Sequence, residues 1–247
     1  MGDIRVSYVM ATKNRADTLC DALERLEGLA GPDDEVIVMD GLSEDHTPEV
    51  IDEFFQRGVI AQFASGEDKN AADATNKGIA LAQGEYVRPI SDDDITLPEG
   101  MAQAIQIMND NPEVDVMLCG GTKVSKSRET TICLPVGVDY GSHSSKPMDY
   151  GGCGAGIIAR RRVFEKIKFS TRIRACDVMF LADAIKEGFT VKFCRVNLYV
   201  HRVFSRTAGE NDMPEGFSNI REKHGDFVRP KTGGVFKGTP AWDGAFA

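Results

Sequence analysis

The chain has 247 residues, 42% of them apolar and 27% charged, and a formal net charge of −9. That length and balance fit one globular α/β domain with a sizeable core. So strong an acidic excess excludes a general polyanion binder, and nucleic acid is set aside as a partner, although single Lys or Arg side chains can still meet a small phosphate ligand. IRVSYVM (4–10) and EVIVMD (35–40) are near-continuous apolar runs, the pattern of strands buried on both faces. Between them Ala16, Leu19, Leu23 and Leu26 recur at helical spacing. Thr47 and Pro48 open the next helix, Thr as N-cap and Pro at the first position, with Val50, Ile51, Phe54 and Phe55 following. VIAQFA (59–64) reads as a third strand and AADATNKGIALAQ (71–83) as a helix whose small residues allow close packing on a sheet. EYVRPI (85–90) is a fourth strand; Pro98 opens a helix with Met101, Ala104, Ile105 and Met108 on one face; VDVMLC (114–119) is a fifth strand. Strict alternation of this kind predicts right-handed crossovers and a parallel sheet.

The second half reads differently. TKVSKS (122–127) and ETTICLPV (129–136) suggest a short antiparallel ribbon, and GAGIIAR (154–160) a strand. A helix begins at Asp177, buries Val178, Leu181, Ala182 and Ile185, and ends at Gly188. TVKFC (190–194) and VNLYVHRV (196–203) follow as two strands. Residues 205–247 carry Gly and Pro throughout with isolated aromatics, and are expected to form a lid or wrapping tail on the same domain. The expected organisation is therefore one domain over 1–204, with a first half at 1–119 and a second at 120–204, followed by that tail. The six cysteines form no CxxC pair and are read as reduced cytosolic thiols. MGDIRVSYVM lacks a signal-peptide pattern, and no apolar run reaches the roughly 20 residues of a membrane span. The expectation is a soluble cytoplasmic protein, at most peripheral to a membrane.

Ligands of open parallel sheets bind beyond the carboxyl ends of the strands. ATKNR (11–15) follows the first strand, Asp40 ends the second, and SDDD (91–94) follows the fourth. Each has a structural reading as well: Asn14 and Asp40 as turn residues, and Asp92 to Asp94 as acids at a helix entrance. Three adjacent carboxylates after a buried strand nevertheless repel one another, and the economical remedy is a hard divalent cation, Mn²⁺ or Mg²⁺. A metal held by one or two carboxylates completes its shell with water and substrate phosphates, which points to a nucleoside diphosphate. Neither GxxxxGK[ST] nor GxGxxG is present, which disfavours a P-loop or a dinucleotide fold.

From Val6 to about His201 the chain resembles the GT-A-fold glycosyltransferases of the large inverting group called family 2. SYVMATKNR resembles the family's opening strand and nucleotide loop, and VIVMDGLSEDHT its D-x-G-S-x-D-x-T element. GEDKNAADATNKGIALAQGEYVRPISDDDITLPEGM resembles its D-x-x-x-A-x-N-x-G-x-x-x-A-x-G-x-Y segment running into the DxD motif. RACDVMFLADAIKEGF resembles the late E-D-x-x-x-x-x-R-x-x-x-x-G-x segment, and YVHR the strand that ends in a metal-contacting His. The resemblance implies an enzyme that moves a sugar from a UDP-sugar to an acceptor hydroxyl, on a glycan or another molecule; with no Q-x-x-R-W and no membrane span, a non-processive one is expected. It implies that Asp40 reads the uracil N3–H, that Thr12 and Arg15 line the nucleoside pocket, and that Asp92 lies near the ribose. Asn76 and Lys77 would support the donor pocket. Asp93 and His201 would hold the metal, Asp177 would be the general base, and Arg202 or Arg206 would neutralise the departing diphosphate. Residues 150–158 would shape the sugar and acceptor pocket, with glycine amides close by. Ser91 stands where the first acid of DxD is usual, Cys176 where a Glu precedes the base, and Gly41 where a second acid is common. Asp177 also reads as a helix N-cap, His201 as a satisfied strand histidine, and Arg160 to Arg162 as a solvated helix start. Two other functions share these features: a sugar-phosphate nucleotidyltransferase, and a non-catalytic nucleotide-sugar-binding module.

Overall fold

The computed structural model describes residues 3–124, 130–133, 154–172, 176–202 and 235–236. Four of the apolar runs become β1 (Val6–Thr12), β2 (Asp34–Asp40), β3 (Gln62–Ser65) and β4 (Tyr86–Ser91). They lie in the order β3-β2-β1-β4, all parallel. Alternation along β1 explains its central place. Val6, Tyr8 and Met10 enter one apolar cluster and Val9 enters another, so both faces need a helical layer. On the first face α1 (Ala16–Leu29) and α2 (Thr47–Gln56) contribute Leu19, Leu23, Leu26 and Phe54. On the other face α3 (Ala71–Leu81) contributes Ile79. α3 approaches the sheet closely because Gly78 has no side chain: a Cβ there would stand 2.6 Å from Val9 Cγ1 and 2.9 Å from Met39 Cγ. The two-residue β5 (Ile95–Thr96) leads into α4 (Pro98–Asp110), which adds Met101, Ala104, Ile105 and Met108 to the first cluster.

The fifth run extends into β6 (Val116–Val124), whose end pairs antiparallel with β7 (Thr130–Cys133), Thr122 opposite Ile132. That is the described part of the expected ribbon. A 3-10 turn at Gly154–Gly156 precedes β8 (Ile157–Arg160), which runs antiparallel to both β4 and β6 and so joins the two halves into one sheet. The short α5 (Arg161–Phe164) and α6 (Cys176–Lys186) cover the second face, where Phe164, Phe169 and Phe180 stack. Gly188, with φ +84°, follows the end of α6 in the left-handed region that glycine tolerates. Two further strands complete the sheet: β9 (Val191–Arg202), which follows α6, and β10 (Val235–Phe236), which pairs with β7. The rest of the 205–247 tail lies outside the described residues. Among the described residues no helix is long and apolar enough to cross a membrane, and Cys20, Cys119, Cys176 and Cys194 are free thiols.

Two local expectations are corrected. TVKFC and VNLYVHRV are one continuous strand, β9, parallel to β6. The register shifts around Gly120, which absorbs the irregularity that reads in sequence as a break. Gly121 leaves room for the ring of Tyr199, with which a Cβ would collide. Thr47 is the first residue of α2 rather than its cap, which is His46. The Thr47 amide donates to Asp45 Oδ1 at 2.9 Å and its hydroxyl accepts the Arg15 amide at 2.9 Å. Asp45, two residues upstream, thus takes the role expected of the threonine.

Candidate active site

Parallel register brings the chemistry to one rim. Thr12 pairs with Asp40 and Ala11 with Ser91, so the loops after β1, β2 and β4 leave the sheet together. Between them opens a cleft of about 550 Å³ whose lining includes Thr12, Arg15, Asp92, Asp93 and His201. Residues far apart in the chain therefore meet there. Thr12 Oγ1 donates to Asp92 Oδ2 at 2.8 Å. Arg15 Nη1 donates to Asp93 Oδ2 at 2.9 Å and lies 3.7 Å from Asp92 Oδ1. Ser91 Oγ donates to Asp93 Oδ1 at 2.5 Å. Burial pushes the Asp92 carboxyl up to about 6, with the Asp93 charge adding to the rise and the Thr12 hydroxyl and Arg15 charge opposing it.

The three adjacent aspartates have three different environments. Asp94 turns away from the cleft and pairs with His201, Oδ1 lying 2.8 Å from Nδ1. Arg202 Nε donates to the Asp93 carbonyl at 2.6 Å, and its Nη1 to Asp21 on α1 at 2.5 Å. Arg202 therefore buttresses the acid loop from behind. Arg206 lies outside the described residues.

Asp40 is buried at the base of the rim. The Ser43 amide and hydroxyl and the Ser65 hydroxyl, at 2.5–3.2 Å, hold its carboxylate. The loop it starts is stitched to the loop after β1. The Asn14 amide donates to Ser43 Oγ at 2.8 Å, the Glu44 amide to Asn14 Oδ1 at 2.7 Å, and the Ala16 amide to Asp45 Oδ2 at 3.2 Å. Asn14 and Leu42 reach φ of +53° and +60° in the process. Lys77 braces the opposite wall, with Nζ 2.6 Å from the Glu67 carbonyl, 2.7 Å from Asp68 and 3.0 Å from Asp73. Asn76 faces away from the cleft. Its amide exchanges two hydrogen bonds with the Phe169 backbone, at 2.8 and 2.9 Å, and ties α3 to the segment before α6. Neither residue lines the cleft.

Asp177 stands in the first turn of α6 and does not line the cleft among the described residues. Its Oδ2 accepts the Gly154 amide at 2.8 Å, and the 3-10 turn that carries Gly154 packs on β4, β6 and β9. Burial raises its carboxyl above the ordinary range, against the pull of the Val178 and Gly154 amides. Residues 151–153 of the glycine-rich segment are outside the described residues. Lys13 and Lys69, both exposed, also line the cleft, and sequence reasoning passed over them. The signal lay in the motifs themselves: each lysine sits in a loop at the carboxyl rim.

Among the described residues no three His, Cys, Asp or Glu side chains form a ready metal cage. The donor set still fits a hard cation held by two protein groups. Asp93 supplies a carboxylate to the cleft. His201 supplies a ring whose Nδ1 faces a carboxylate, as the far nitrogen of a metal-binding histidine usually does.

The family model described as Glycosyl transferase family 2 matches residues 7–168. The chain is 29% identical over 115 residues to the uncharacterised glycosyltransferase MJ1057 of Methanocaldococcus jannaschii, a match covering 45% of this chain and 40% of that protein. It thus spans less than half the length of that relative. S. aureus TarS in complex with UDP-GlcNAc superposes with a TM-score of 0.69 at 18% identity, over 89% of this chain and 66% of that one. The mannosyltransferase PcManGT from Pyrobaculum calidifontis, in complex with GDP-Man and Mn²⁺, gives 0.63 at 21% identity, over 89% and 61%. At these identities the two superpositions speak for a shared fold.

Proposed function

This chain belongs to glycosyl transferase family 2 and has the GT-A fold, and on that premise we propose that it moves a sugar from a nucleoside diphosphate, UDP first, to an acceptor hydroxyl with inversion. The observation that carries the reading is the convergence of Thr12, Arg15, Asp92, Asp93 and His201 on one cleft at the carboxyl rim of the parallel strands. TarS is described with UDP-GlcNAc and PcManGT with Mn²⁺, which supports a nucleotide-sugar donor and a divalent metal here. Asp93 and His201 would hold Mn²⁺ or Mg²⁺, and the ion, when bound, would offset charge growing on the leaving diphosphate.

The chain's own residues do the rest. Thr12, Arg15 and Asp92 contact the nucleoside end of the donor. Asp40 reads the base by exchanging a Ser43 or Ser65 hydroxyl for the uracil N3–H. Asp177 takes the acceptor proton as the hydroxyl attacks the anomeric carbon from the face opposite the diphosphate, and its raised carboxyl makes it a stronger base. A single displacement inverts the anomeric centre.

The test is UDP release from a panel of UDP-sugars with Mn²⁺. Asp93→Ala and Asp177→Asn should each lower turnover by about 100-fold or more, with Asp177→Asn leaving UDP binding intact. Pyrophosphate released from UTP and a sugar phosphate would overturn the reading in favour of a nucleotidyltransferase. UDP binding without any turnover would leave a binding module.

A further inference from the structure

We propose that Asp94 is a positioning residue for His201: its carboxylate fixes the ring with Nδ1 protonated and Nε2 as the nitrogen offered to the cleft. The role of that nitrogen rests on the donor-site reading above; the ring's state does not.

The backbone makes the pair. β5 and β9 run antiparallel, with Ile95 opposite Val200 and Thr96 opposite Tyr199, and the Leu97 amide donates to the Leu198 carbonyl at 2.8 Å. One step further in the same register sets Asp94 opposite His201, and the next sets Asp93 opposite Arg202, whose Nε holds the Asp93 carbonyl at 2.6 Å. Directly opposed side chains on adjacent strands are within contact reach, and Nδ1 and Oδ1 lie 2.8 Å apart. The stations of the two residues differ. The His201 side chain is 25% exposed and lines the cleft. The Asp94 side chain is 8% exposed and borders a small hollow toward α1, beside Met10, Ile90 and Leu26. The carboxylate thus stands behind the ring.

An ionised carboxylate only accepts, so the nitrogen it meets must carry the proton. In the neutral ring the other nitrogen then carries a lone pair. A free imidazole favours protonation at Nε2, so the arrangement has to be imposed. A carboxylate behind the ring imposes it, holds the ring plane, and raises the basicity of the nitrogen in front.

The test labels the histidines with ¹⁵N and reads the His201 tautomer at neutral pH in the metal-free protein. The chain has four histidines, and the resonance lost in His201→Gln is the one wanted. The native ring is expected as the Nδ1–H form, and Asp94→Ala should shift it toward Nε2–H. The similarly sized Asp94→Leu, which has no acceptor and whose melting temperature is checked first, should do the same if the alanine variant fails to fold. Calorimetry with Mn²⁺ and UDP should show affinity about 10- to 100-fold weaker in the variant. A native ring already in the Nε2–H form, or a folded Asp94→Ala or Asp94→Leu protein with unchanged tautomer and unchanged Mn²⁺ affinity, overturns the proposal. Should Mn²⁺ and UDP fail to bind even the native protein, the donor-site reading falls, and the tautomer shift alone upholds or overturns the part given to Asp94.

Discussion

Asp92 is held at a cost to the fold. The residue is 5% exposed, and burial pushes its carboxyl up to about 6 in the folded protein, against about 4 in an unfolded chain. The folded state therefore binds this proton more tightly, and its stabilising contribution is complete below pH 4 and lost as pH rises to 6. Above pH 6 the ionised group costs about 3 kcal/mol, at roughly 1.4 kcal/mol for each tenfold change in proton affinity. Asp92→Asn keeps an acceptor for the Thr12 hydroxyl and removes that charge. It should raise the melting temperature at pH 8 by several degrees, change it little at pH 4, and weaken donor binding. Calorimetric melts at the two pH values check the first part, and UDP titration the second. The triple aspartate was legible in the sequence as a cluster, but its division of labour was not. Asp92 meets Thr12, Asp93 meets Arg15 and Ser91, and Asp94 meets His201, partners drawn mostly from distant parts of the chain. Lys13 and Lys69 belong at this scale too. Replacing both with Ala should weaken UDP binding about 10-fold and flatten its salt dependence, as expected of exposed cations facing a diphosphate; titrations at low and high salt decide it.

Elements were the most legible level where the apolar period was strong. The buried parallel strands β1, β2 and β4 and helices α1 and α4 fall within a few residues of the expected ranges. β3 begins later than expected because residues 59–61 turn before the strand, even though Ile60 is buried. β9 was misread as two strands because a register shift opposite Gly120 is a tertiary event with no local signature. The small residues of α3 were expected to permit close packing, and Gly78 gives the strictest case. Gly78→Ala gains helix propensity but drives a methyl into Val9 and Met39, and should destabilise the fold by about 1–3 kcal/mol. Urea melts that show a more stable Gly78→Ala protein would mean that α3 can back away from the sheet.

On the scale of the molecule, the charge of −9 would oppose an anionic donor, so on the proposed function binding would depend on the few cations gathered at the rim. Saturating UDP with Mn²⁺, at about 100 times the dissociation constant, should stabilise the fold by roughly 2.7 kcal/mol. For a chain of this size that is a melting shift of about 5–10 °C. Either component alone should give less, and Asp93→Ala should abolish the increment that Mn²⁺ adds. A scanning fluorimetry series checks all three. The alternating β-α order of the first half could be read from patterning alone. The sheet order of the second half could not, because β8 runs antiparallel between β4 and β6, an insertion fixed by long-range pairing.

The hydrogen bonds that join the loop after β1 to the loop after β2 make a seam along the rim. Two stretches of chain about thirty residues apart are fastened there into a single plate, with Arg15 riding on it. A blow to Ser43 or Asp45 is therefore a blow to Arg15, and one side of the cleft tilts or stays as a unit.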